Sequence, residues 1–119
     1  MRTWRGRHAP EAERVDDADE ADRRVLDHLE RLGCDPAEAR ETHHYLYLPA
    51  ESDAERVAHA LRTHGWSTMV EQSEGGAWLV VAMRTRLLTL ELVHETRASL
   101  AALASEHGGI YDGWEAPTT

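Results

Sequence analysis

Lysine, asparagine and phenylalanine are missing from this chain, and isoleucine (Ile110) and cysteine (Cys34) occur once each. A lone cysteine excludes an internal disulfide, so the fold must rest on an apolar core of the kind found in reducing compartments. With lysine absent, all 13 basic residues are arginines, set against 22 acids for a formal charge of −9. A deficit of that size repels a phosphate backbone unless the arginines are gathered in one patch. It argues against direct nucleic-acid binding and for a basic protein partner, or none. No apolar run approaches the ~20 residues that span a bilayer, which argues against a membrane partner. Met1–Pro10 carries Arg2, Arg5 and Arg7 but no apolar stretch behind them, unlike a secretory leader. A cytoplasmic protein is expected.

Catalytic patterns are missing as well. The chain has no GxSxG, GxGxxG or GxxxxGK[ST], and Gly75-Gly76 has no helix start directly behind it to hold a phosphate. Eight histidines raise the question of a metal, but His94-Glu95 is followed by Ala98 where HExxH requires its second histidine. His43 and His44 are adjacent on a predicted strand and so point to opposite faces. His64 and His107 each precede a helix-ending glycine, where imidazole suits the negative end of the dipole. The expectation is a protein that is not an enzyme, with no catalytic residue, metal or cofactor.

The 119 residues present are 41% hydrophobic, the balance of a single globular domain. We read residues 1–10 as a flexible basic tail and 11–119 as the domain. Seven acids lie between Glu11 and Asp22, among them Asp16, Asp17, Asp19 and Glu20. Ala18, Ala21, Val25, Leu29 and Leu32 recur at helical spacing behind them, and Gly33 is placed to end that helix. The acids form a solvated helix face or a docking site for a basic partner. Asp35-Pro36 reads as a turn.

Thr42–Leu48 alternates as a half-buried strand, with Tyr45 and Tyr47 on the face opposite His44, Leu46 and Leu48. Ser52 to Glu55 matches a capping box, and the helix behind it buries Ala54, Val57, Ala58 and Leu61 before Gly65. Trp66–Glu71 and Ala77–Arg84 form a hairpin around Gly75-Gly76. The second of these strands is apolar on both faces and predicts a central strand covered on both sides. Thr89 caps a third helix, Gly108-Gly109 breaks it, and Ile110–Glu115 forms a short last strand. A leading helix followed by β-α-β-β-α-β predicts an α+β, ferredoxin-like antiparallel sheet with both crossover helices on one face. The leading helix is the candidate cover for the other face, over Tyr45 and Tyr47.

Tyr111-Asp112-Gly113-Trp114 resembles the YDGW signature of the RraB family, protein inhibitors of ribonuclease E. Gly33-Cys34-Asp35-Pro36 resembles that family's G-x-D-P, and His43-His44 and Gly65-Trp66 fall in the family's order. The resemblance implies a ferredoxin-like fold and a non-catalytic regulator that binds a ribonuclease E-like protein. The seven acids between Glu11 and Asp22 suggest how, by docking an acidic surface on arginine-rich segments of such an enzyme. Candidate partner-binding residues are Asp16, Asp17, Asp19, Glu20, Tyr45, Tyr47, Tyr111, Asp112 and Trp114. Tyr111 and Trp114 are open to a second reading, as the aromatic edge of the core with Gly113 allowing a bulge. The alternative function is an RNA-binding module, which requires Tyr45, Tyr47 or Trp78 exposed beside arginines on an open sheet face. Homodimerisation through a sheet edge or an uncovered face stays open.

Overall fold

A computed structural model of the chain describes residues 3–6, 15–34 and 38–117, with side chains over 20–34 and 38–116. The Asp35-Pro36 turn lies outside the described residues, as do the side chains of Asp16, Asp17 and Asp19. In chain order the elements are β1 (Thr3–Gly6), α1 (Val15–Arg31), β2 (Arg40–Leu48), α2 (Glu51–Thr63), β3 (Ser67–Gln72), β4 (Trp78–Arg86), α3 (Leu90–Glu106) and β5 (Ile110–Pro117). They form one antiparallel sheet in the order β1-β5-β2-β4-β3. From β2 to β5 this is the ferredoxin-like plait that the element order predicts. Thr3–Gly6 lies in the stretch read as a tail and pairs with the outer edge of β5, from Thr3↔Pro117 to Gly6↔Trp114. A pairing of this kind depends on backbone groups at a free edge, which side-chain patterns do not reveal.

The main core lies between the sheet and helices α2 and α3. Leu46, Leu48, Val80 and Ala82 from the strands meet Ala54, Val57, Ala58 and Leu61 of α2 and Leu100 and Ala104 of α3. Position 96 on α3, which hydropathy leaves out, is also buried as Thr96. Thr89 caps α3 as predicted, its hydroxyl accepting from the Leu92 amide at 3.2 Å. The capping box of α2 does not form. The helix begins at Glu51 with Ala50 as N-cap and without a side-chain cap bond, so Ser52 already lies inside the first turn.

Gly33, Gly65 and Gly108 stand in the left-handed region behind the three helices, where backbone bonds such as Trp66 N–H to Leu61 O and Gly109 N–H to Ala104 O close the last turn. Gly109 is required for a different reason: a Cβ there would collide with the Tyr47 carbonyl oxygen and the Leu48 side chain. α1 ends one residue earlier than the apolar stripe suggests, and Leu32, in the turn, is exposed rather than inward.

The position of α1 departs from expectation. Val25 and Leu29 of α1 pack with Val93 of α3 and with Trp114 and Ala116 of β5. Trp114 pairs with His44, whose face of β2 is the one under α2 and α3. All three helices therefore share one side of the sheet. The cause is α3: its Val93 and the broad Trp114 ring leave an apolar shelf beside it, and α1 buries its stripe there. β4 is central, as predicted, but the helices cover only one of its faces.

Candidate functional site

Two regions hold the residues singled out by sequence. The first is a buried polar knot beneath α1. Asp22, on α1, is 1% exposed, and its carboxylate accepts from the Trp114 indole N–H at 3.0 Å and from Arg97 Nε at 2.8 Å. His94 Nε2 lies 3.7 Å from the same carboxylate. A buried charge is tolerable only when paired and hydrogen-bonded, and these contacts bind α1 to both α3 and β5. Next to it, His44 Nδ1 shares a hydrogen bond with the Tyr111 hydroxyl at 2.9 Å. The His44 ring stacks near Trp114 and meets Trp66 edge-on, with centroids 6.1 and 5.4 Å away. Burial pushes the His44 pKa down to about 3, helped by the nearby positive charge of His43 and Arg86.

The spacing of the YDGW stretch explains its glycine. His44 faces Trp114 and Leu46 faces Tyr111, so two steps along β2 are matched by three along β5. The extra residue is a bulge, with Gly113 at φ +95°. In a regular strand, residues three apart face opposite sides. The bulge turns both Tyr111 and Trp114 toward the helices, where they are 7% and 1% exposed, and Asp112 is buried beside them. For Tyr111 and Trp114 this burial favours the second reading, the aromatic edge of the core.

The second region is the face of the sheet that no described helix covers. Tyr45 and Tyr47 lie there, half-buried, facing Val81 and Leu79 of β4. Met69, which pairs with Val81, and Ile110, which pairs with Tyr47, are exposed. Glu41, His43, Glu71 and Glu115 complete the face, with His43 bonded to Glu41 and the Tyr45 hydroxyl donating to Glu115. Trp78, Arg84 and Arg86 point to the helix side, and no described arginine side chain stands among the tyrosines. Of the acidic run, Glu20 is exposed on α1, while Asp16, Asp17 and Asp19 are described only as backbone in its first turns. The tyrosine face and the acidic run are separate. The described part of the run, on α1, lies on the opposite side of the sheet from the tyrosines.

No group of three or more histidine, cysteine or acidic side chains is placed to hold a metal among the described residues. No described helix is long and apolar enough to cross a membrane. Residues 19–116 match the family described as Regulator of ribonuclease activity B. The chain belongs to this RraB family. Among individually curated proteins, none matches it. The matched span begins in α1, just before Asp22, and ends at Ala116, so it takes in the whole Asp22–Trp114 knot and the whole tyrosine face. In this RraB protein the signature motif is understood as the joint between α1, α3 and β5.

Proposed function

We propose that this chain is a non-catalytic cytoplasmic regulator that binds ribonuclease E or a related RNA-decay enzyme and restrains RNA cleavage. Family membership supports regulation of a ribonuclease. The observation that carries the protein-binding reading is the composition of the uncovered sheet face, with half-buried tyrosines and exposed Met69 and Ile110 among Glu41, Glu71 and Glu115. Tyrosine supplies contact area at low entropic cost, and the surrounding carboxylates suit arginine-rich segments of the enzyme. The acidic start of α1, with Asp16, Asp17, Asp19 and Glu20, adds long-range attraction for the same partner. RNA recognition on this face needs cations beside the rings, and the described side chains provide carboxylates there instead.

The test is binding of the purified protein to the arginine-rich region of ribonuclease E at rising salt concentration. Affinity that falls with salt, and falls again in Tyr45→Ala and Tyr47→Ala, supports the proposal. Binding indifferent to both salt and the tyrosines overturns it, as does tight binding of single-stranded RNA by the isolated protein.

A further inference from the structure

On the helix side of the sheet, residues of α2 and α3, Trp66 and the end of β4 line an open cleft of about 550 Å³. Its floor holds Arg84 and Arg86, two residues apart on β4 and therefore on the same face of the strand. The Arg84 guanidinium lies over the Trp66 ring, 5.2 Å from its centroid. Arg86 donates to the Thr96 hydroxyl at 3.3 Å. Among the described residues neither arginine forms an ion pair, although Glu95 stands on the cleft wall. In a chain with 22 acids to 13 bases, two half-buried guanidinium groups left without a carboxylate are conspicuous. A desolvated cation is costly unless something offsets its charge.

The walls add shape to that charge. Leu61 of α2 and Leu100 and Leu103 of α3 line the cleft and form an apolar surface facing the arginines. The volume lies in the range of pockets that enclose a whole small molecule. Contact with the Trp66 ring restrains the Arg84 guanidinium, and the Thr96 bond restrains Arg86, before a ligand arrives.

From this arrangement we propose that the α2–α3 cleft binds a small organic oxyanion, a carboxylate or phosphate monoester carried on a short apolar body. The oxyanion sits between Arg84 and Arg86, which can each offer paired N–H donors, and the apolar body lies against Leu61, Leu100 and Leu103. A nucleic-acid strand is a poorer fit, because Glu95 is exposed at the wall and the chain as a whole carries −9. The cleft is on the opposite side of the sheet from the tyrosine face, so the outcome for one leaves the other standing.

The experiment is a nitrogen-15 NMR titration of the full chain with hexanoate, phenyl phosphate and inorganic phosphate. Saturable shifts are expected at the Arg84 and Arg86 side-chain N–H groups and at cleft backbone amides. Hexanoate and phenyl phosphate should bind at least tenfold more tightly than inorganic phosphate, because they also use the apolar wall. Comparing the two organic ligands distinguishes a carboxylate from a phosphate site. Arg84→Gln and Arg86→Gln, checked for native spectra, should each weaken binding about tenfold, and Arg56→Gln on the outer face of α2 should leave it unchanged. Absence of saturable shifts in the native protein overturns the proposal without recourse to any variant. Equal affinity for the three ligands, shifts that survive both arginine substitutions, or stronger binding of a short RNA in the same cleft would overturn it too.

Discussion

β2 carries aromatic and imidazole rings on both of its faces, and the two faces use them differently. On one side His44 is enclosed by Trp66, Tyr111 and Trp114 and bonded to the Tyr111 hydroxyl. On the other, Tyr45 and Tyr47 lie half-open beside carboxylates, with no described helix above them. Of the enclosed rings, Trp114 donates to a buried carboxylate, Asp22, which also accepts from Arg97 and so ties α1, α3 and β5 together. The open rings lie on the sheet face opposite the described helices and are half-buried. The first set bears on stability and the second is where the proposed function places recognition, although His44 and Tyr45 are neighbours along the strand.

Substitutions on the two faces should separate these roles. Trp114→Ala removes the largest fully buried side chain among the described residues and takes from Asp22 one of its two hydrogen-bond donors, and should cost about 3–5 kcal/mol in urea denaturation. A cost below ~1 kcal/mol would mean that the knot does not hold α1 in place. Acid should act through the same region. The folded-state pKa of His44, about 3, is below its unfolded value of 6.5, so the unfolded chain takes up this proton first. Its contribution is complete above pH 6.5 and is lost as the pH falls toward 3, at a slope of about 1.4 kcal/mol per pH unit. Unfolding measured from pH 7 to 4.5 should show that slope in the native protein, and His44→Gln should flatten it.

Gly109→Ala forces a methyl group against the Tyr47 carbonyl and Leu48, and should cost about 1–3 kcal/mol by thermal unfolding. An unchanged midpoint would show that the β2–β5 approach can relax. On the open face, Tyr47→Ala should cost less than about 1 kcal/mol of stability while weakening ribonuclease binding by about tenfold. If Tyr47→Ala is as destabilising as Trp114→Ala, the two faces do not differ as described.

Much of the fold was legible in the residues. Alternation in Thr42–Leu48, the helical stripes of α2 and α3, the Thr89 cap and the glycines behind the helices are local signals, written within a few residues of where they act. The capping box failed because Ser52 and Glu55 fit a start at Ser52 as well as the chain fits one at Ala50, and hydrogen-bonding partners decide between them. The candidate site was legible in part. Tyr45 and Tyr47 were placed on the correct face by period-two alternation. Tyr111 and Trp114 were not resolved, because the side each takes depends on a bulge whose partner strand is more than sixty residues away. Arg84 and Arg86 were missed altogether, and their only sequence signal is a repeated arginine at alternate positions ending an apolar strand.

By itself the sequence determined the class of the protein: an acidic α+β domain without a catalytic motif, with a plait order and a family signature. Local periodicity and composition are sufficient for that. Tertiary structure alone decided which face α1 covers, because its apolar stripe fits any apolar shelf and only the Asp22–Trp114–Arg97 contacts select one. As a result of that choice, no described helix covers the tyrosine face.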